Sequence, residues 1–181
     1  MSLLKKTVKS MAQYLKKVSM FSLVLWSLIL YMIATRLPAI RDSYSLEGVK
    51  APSLTLVDLN GKIKRWPEDL PAPVIFVFWA TWCGPCKVEL NRYNAAIQKK
   101  EIPYDRFYAI NIGEEPSLVK ASLQEHNYTF QVLLDVNEEA NHFFKVNATP
   151  TVVHIDKDQK ISWVASGVSP TAIYRAIQLT K

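Results

Sequence analysis

Cysteine is almost missing from this chain: Cys83 and Cys86 are the only two in 181 residues. Without further thiols no framework of structural disulfides can brace the fold. The pair is left to close on itself, to exchange with a partner's disulfide, or to join a metal site. Histidine is scarce too, and His126, His142 and His154 stand singly, so a zinc or copper ion would lack its remaining ligands. Lys87 follows Cys86 where covalent haem attachment requires histidine. No metal and no cofactor is therefore expected. Low-complexity tracts are absent, as is any repeat at a period of about 20–50 residues, which excludes solenoids and propellers.

Negative charge is missing from the start of the chain, where Lys5, Lys6, Lys9, Lys16 and Lys17 are the only charged residues before Arg36. Setting these five aside leaves 17 basic residues against 16 acidic ones, so the formal charge of +6 falls to +1. That nearly neutral remainder has no basic stripe interleaved with aromatics, and no nucleic-acid partner is expected. Residues 18–35 carry no charge at all. As a helix they would extend about 27 Å, near the hydrocarbon thickness of a bilayer. The lysines before them form the flank that stays cytoplasmic. The run is longer than a signal-peptide core, and Arg36-Leu37-Pro38-Ala39 is a poor cleavage site. The expected organisation is a basic cytoplasmic tail over 1–17, a single-pass transmembrane anchor over 18–35, a polar linker over 36–50 and one domain over 51–181. The amino terminus would lie on the cytoplasmic side of a bacterial inner membrane and the domain in the periplasm or an equivalent exterior.

What the domain does contain is an ordinary globular balance, 49% hydrophobic and 21% charged over the whole chain. Residues 53–59 alternate apolar and polar up to Asn60-Gly61, a strong two-residue hairpin signal, and residues 62–66 return. Residues 74–80 are continuously apolar and β-favouring, as a strand covered on both faces should be. After the cysteines, Val88, Leu90, Tyr93, Ala96 and Ile97 fall near a helical stripe. Residues 106–112 read as a strand, 116–126 as a helix opened by proline, 130–134 as a strand and 138–145 as a helix. Residues 151–155 and 161–165 flank the turn-like Asp156-Lys157-Asp158-Gln159, and Ser169-Pro170 begins a last helix. The order β-β-β-α-β-α-β-α-β-β-α predicts an α/β fold with a mixed central sheet flanked by helices.

The cysteines therefore sit where a buried strand gives way to a helix, two residues apart. That spacing puts Cys83 at the helix start and Cys86 one turn on, on the same face, which suits a disulfide. Free N–H groups and the dipole at a helix start favour a thiolate, which makes Cys83 the expected nucleophile. Pro85 in the first turn gives up no needed hydrogen bond, and Gly84 lets a partner's backbone come near. Trp82, directly before Cys83, would lie at the surface of the site as a partner contact, while Phe78 and Trp79 are packing residues.

Phe78-Trp79-Ala80-Thr81-Trp82-Cys83-Gly84-Pro85-Cys86-Lys87, followed much later by Thr149-Pro150-Thr151, resembles the thioredoxin superfamily and more closely the membrane-tethered TlpA/ResA-like thiol–disulfide oxidoreductases. The resemblance runs from about Ala51 to the carboxyl terminus. It takes in Ala51-Pro52-Ser53-Leu54-Thr55-Leu56 with Asp58-Leu59-Asn60-Gly61-Lys62 as the opening hairpin. Asn111-Ile112-Gly113 and Phe130-Gln131-Val132-Leu133-Leu134-Asp135 look like the family's inserted helix and strand. It implies a thioredoxin-like fold, Cys83 and Cys86 as a redox-active disulfide, and Pro150 as a cis-proline facing it. The Thr149 backbone would pair with an extended partner. Glu89, three residues after Cys86, matches a glutamate that ResA-like proteins keep near the active site, and would be the only carboxyl close enough to shuttle the Cys86 proton.

Three functions follow. The first is a tethered reductase of disulfides in exported proteins, such as those of cytochrome c or copper-site assembly, recharged by a membrane electron donor of DsbD/CcdA type. The second is a disulfide oxidase or isomerase on the same fold, against which Gly84-Pro85 speaks, because strong oxidants usually carry a histidine there. The third is a non-enzymatic metal-delivery or assembly module.

Overall fold

The computed structural model describes residues 22–32 and 46–181. Residues 22–32 are helical, and Leu23, Val24, Trp26 and Leu30 are exposed on them. Among the described residues no helix is long and apolar enough to cross a membrane. The rest of the expected anchor, 18–21 and 33–35, lies outside the described residues, as do the basic tail and most of the expected linker.

Leu46 is buried in the core, and the segment after it pairs with the carboxyl-terminal part of the domain. Gly48 N–H donates to Ile161 O at 2.7 Å, Ile161 N–H to Val49 O at 2.9 Å, and Lys50 bridges Lys160. The compact body thus begins before Ala51. A polar, aperiodic composition concealed this, because among the described residues before Ala51 only Leu46 enters the core.

The chain then runs β1 (Leu54–Asp58), β2 (Ile63–Trp66), β3 (Val74–Trp79), α1 (Gly84–Gln98), a 3-10 turn (Tyr104–Arg106) and β4 (Phe107–Asn111). It continues with α2 (Pro116–Glu125), β5 (Gln131–Leu134), α3 (Glu139–Phe143), β6 (Thr151–Ile155), β7 (Ile161–Ser166) and α4 (Ala172–Leu179). This is the expected order. The hairpin between β1 and β2 forms, but its loop is three residues rather than two. Asp58 N–H donates to Lys62 O at 2.9 Å and Gly61 N–H to Asp58 O at 3.0 Å, which leaves residues 59–61 outside the ladder. Gly61, at φ +83°, takes the left-handed position that such a loop needs.

Seven strands make one sheet in the order β2-β1-β5-β4-β3-β6-β7. The central three, β5, β4 and β3, are parallel, and β1, β2, β6 and β7 run antiparallel to their neighbours. All six residues of β3 are buried. Their alternation divides the core, as successive side chains of a strand must. Ile75, Val77 and Trp79 pack with Leu90, Tyr93 and Ala96 of α1, Val119 of α2 and Ala172 and Ala176 of α4. Val74, Phe76 and Phe78 pack on the other face with Leu46, Trp66 and Phe144. The sheet is therefore sandwiched between helices, in a thioredoxin-like α/β arrangement. Val88 departs from the helical stripe expected for α1: it is exposed, and Glu89 is buried in its place.

One histidine of the core is held neutral by its burial. His154 on β6 lies opposite Ile75, its ring centroid 4.8 Å from that of Trp163 and its Nε2 3.5 Å from the Tyr93 hydroxyl. Burial, with a smaller contribution from Arg175, pushes its pKa down to about 3. The unfolded chain protonates this imidazole near its ordinary value of 6.5 while the folded chain does not. Its contribution to stability is therefore complete above pH 6.5 and lost as pH falls toward 3. Urea midpoints measured from pH 4 to 8 should show wild type losing stability on acidification relative to His154→Phe, by up to about 1.4 kcal/mol per pH unit below pH 6.5. A difference independent of pH would refute this placement of the proton.

Candidate active site

At the end of β3 the chain turns through residues 80–83, with Cys83 N–H donating to Ala80 O at 3.2 Å, and enters α1. Cys83 is the N-cap of that helix, and its Sγ accepts the Cys86 N–H at 3.1 Å. A sulfur at this position faces the unpaired amides of the first turn, where negative charge is favoured. Cys83 and Cys86 are joined in a disulfide, with Cα atoms 5.2 Å apart. The two sulfurs are unequally placed. Cys83 retains 4% exposure and adjoins Trp82, which is 73% exposed, whereas Cys86 is wholly buried. A Cβ built on Gly84 would meet nothing within 4 Å, so this surface is open to an approaching chain. Pro85 lies in the first turn of the helix.

Thr151 at the start of β6 pairs with Phe78 of β3, which brings Thr149 and Pro150 beside the exit of β3. The Thr149–Pro150 peptide is cis, Pro150 is buried, and its carbonyl accepts the Gly167 N–H at 2.7 Å. Six residues expected at the site, Trp82, Cys83, Gly84, Pro85, Cys86 and Pro150 with its neighbour Thr149, thus gather at the carboxyl ends of β3 and the amino end of β6. Trp79 and Phe78 are buried packing residues, as anticipated.

Glu89, one turn beyond Cys86, is fully buried. Its Oε2 lies 2.9 Å from Arg92 Nη1, and its Oε1 has no hydrogen-bond partner among the described residues. The same Nη1 donates to Ser169 O at 2.7 Å, and Nη2 to Pro170 O at 3.2 Å. Burial raises the Glu89 pKa above the usual carboxylate range, and Arg92 and, less strongly, the Ser169 backbone N–H only partly oppose it.

A second carboxyl adjoins the turn that leads to Cys83. Glu114, from the loop between β4 and α2, accepts hydrogen bonds from Thr81 N–H at 2.7 Å, Thr81 Oγ1 at 2.6 Å and Asn111 Nδ2 at 2.7 Å. Thr81 stands two residues before Cys83. One signal could have found this acid: Asn111 is a polar residue ending an otherwise apolar strand, followed by Gly113 and an acid that can fold back on it.

A dithiol pair at a helix start beside a cis-proline, on a mixed sheet of this order, defines a thioredoxin-like domain built for thiol–disulfide exchange. Residues 48–164 match the AhpC/TSA family. ResA of Bacillus subtilis, a thiol-disulfide oxidoreductase, is 31% identical over 138 residues, covering 76% of each chain. ResA of Geobacillus kaustophilus is 28% identical over 145 residues, covering 80% of this chain and 83% of its own. A thioredoxin-family thiol:disulfide interchange protein from Chlorobium tepidum shares the fold with a TM-score of 0.59 at 23% identity, over 72% of this chain and 94% of that one. The chain belongs to the AhpC/TSA family and, within its thioredoxin-like fold, is a thiol–disulfide oxidoreductase of ResA type.

The buried carboxyl gives a stability signature of its own. With its pKa raised on folding, Glu89 holds its proton more tightly in the native state than in the unfolded chain. Its contribution is fully present below the ordinary carboxylate value of 4.5 and is lost as pH rises through the higher native value. Glu89→Gln should therefore gain stability relative to wild type as pH increases from 4 to 7 in urea unfolding of the oxidised protein. Parallel stability curves for the two proteins would contradict this.

Proposed function

We propose that the protein is an extracytoplasmic reductase of disulfides in exported proteins, with Cys83 as attacking thiolate and Cys86 as resolving thiol. The observation that carries this reading is the inequality of the two sulfurs: Cys83 caps the helix next to exposed Trp82, and Cys86 lies fully buried one turn on. In the reduced enzyme the Cys83 thiolate attacks one sulfur of a client disulfide. A Cys83–client bond forms, and the departing client sulfur takes up a proton. Cys86 then gives up its proton and attacks Cys83 Sγ, which releases the second client thiol and closes the Cys83–Cys86 disulfide. Two electrons pass to the client.

Glu89 receives the Cys86 proton. Its support is its place one turn beyond Cys86, a buried Oε1 with no hydrogen-bond partner among the described residues, and a pKa that burial raises. Trp82, Gly84, Pro85 and Thr149 form the rim against which an extended client segment lies, with Pro150 beside the sulfurs. Having no third thiol, the enzyme is recharged by another protein, a membrane electron donor of DsbD/CcdA type. The uncharged run over 18–35, helical and exposed in its described part, supports a single-pass anchor with the domain outside the membrane. Clients in cytochrome c or copper-site assembly would present the required disulfide.

In whole cells Cys86→Ala should accumulate mixed disulfides on Cys83, because the resolving thiol is gone, and Cys83→Ser should accumulate none. Mixed disulfides of equal yield in both variants would overturn the assignment of roles. Equilibration with glutathione should return a potential near the thioredoxin-like ~−270 mV, and a value near ~−120 mV would make the protein an oxidase.

A further inference from the structure

Glu114 satisfies more hydrogen-bond donors than any other carboxylate near the redox pair, yet it lies 31 positions along the chain from Cys83. Its two oxygens receive three bonds, two from Thr81 and one from Asn111, all at 2.6–2.7 Å. Its own N–H donates to Asn111 Oδ1 at 3.0 Å. Asn111 is fully buried at the end of β4: it pairs with Trp79 across the β3–β4 ladder, and Ile112 N–H donates to Trp79 O at 3.2 Å. Gly113, at φ +87°, makes the reversal that returns Glu114 toward Thr81. A carboxylate is thus held on the rigid end of the sheet, and it holds the turn that carries Cys83.

Thr81 follows Ala80, whose carbonyl accepts the Cys83 N–H, so Thr81 is inside that turn. Its N–H has no place in the sheet and would otherwise be unpaired. Bonds from neutral donors to a carboxylate are stronger than those between neutral groups, and three of them are enough to select one conformation of a short loop. The capping role of Cys83 needs that conformation, because its sulfur gains from the amides of α1 only when held 3.1 Å from the Cys86 N–H.

We propose that Glu114 is a positioning residue for thiol–disulfide exchange: by clamping Thr81 it fixes the turn over 80–83 and so holds Cys83 in the capping position that keeps it a thiolate. The inference rests on Cys83 being the attacking thiol. Two effects of a Glu114 substitution oppose one another. Removing its negative charge would favour the thiolate, while releasing the turn would withdraw the helix amides from it. The proposal commits to the second as the larger, since the charge already accepts three hydrogen bonds and the turn is otherwise closed only by the single Cys83 N–H to Ala80 O bond at 3.2 Å.

The test is the pH profile of iodoacetamide alkylation of the fully reduced chain, with the labelled residue assigned by mass spectrometry. Glu114→Gln and Thr81→Val should each move the Cys83 profile to higher pH and slow labelling at pH 7 by about five-fold or more, as a thiolate losing its stabilisation would. Thr81→Ser, which keeps both donors, should restore the wild-type profile. Unchanged thermal unfolding in the oxidised form separates this outcome from simple loss of fold. Cys83 profiles that superimpose on wild type overturn the clamp and leave the assignment of the nucleophile standing. A shift to lower pH overturns it as well, by showing that charge outweighs position. Labelling of Cys86 before Cys83 overturns both the clamp and the assignment of the nucleophile.

Discussion

The central strand β3 is buried along its whole length between two helical layers, and its ladders to β4 and β6 leave no freedom in where its chain quits the sheet. Because Trp79 is paired with Asn111 and Phe78 with Thr151, three chain segments must end side by side: the approach to Cys83, the loop bearing Glu114 and the Thr149–Pro150 peptide. Burial of apolar surface supplies the energy for this, at about 25 cal/mol per Å². None of that energy is specific to redox chemistry. It places groups, and the placed groups then act on a sulfur through the amides of a helix start.

Charge is distributed around the pair with the same economy. One carboxylate, Glu114, is fully engaged by hydrogen-bond donors and stays in the loop layer. The other, Glu89, is driven into the core with one oxygen unmatched. An ionised carboxyl in such surroundings is costly unless paired, and Arg92 supplies only one side of a pair. The difference between the two acids is environmental, not chemical.

Much of this was legible in the chain. Long apolar runs and proline at helix starts disclose β3, α1 and α2, and the order of all eleven main elements follows. The Trp82–Cys86 motif and Thr149-Pro150 disclose the heart of the site because their chemistry is local or carried by resemblance. What stayed hidden depends on tertiary contact. Leu46 joins the core from a segment of polar composition, and Val88 yields its buried position to Glu89 because Arg92, anchored on the carbonyls of Ser169 and Pro170, offers that carboxyl a partner there. Asn60-Gly61 named the turn correctly but not its length, since Asp58 captures the Asn60 and Lys62 amides at 2.8 and 3.0 Å and tightens the chain around itself. Glu114 is signalled only by nearby Asn111, because its other partner, Thr81, lies 33 positions back in the turn after β3.

The three bonds of Arg92 tie the middle of α1 to the loop that introduces α4, the last helix of the chain. Were that terminal element to peel away, the guanidinium would lose two of its three acceptors and the acid beneath it would face water. The loop before α4 is therefore a cover over a buried acid: its docking keeps that carboxyl dry one turn from the disulfide, and its displacement would alter the acidity of the carboxyl without touching either sulfur.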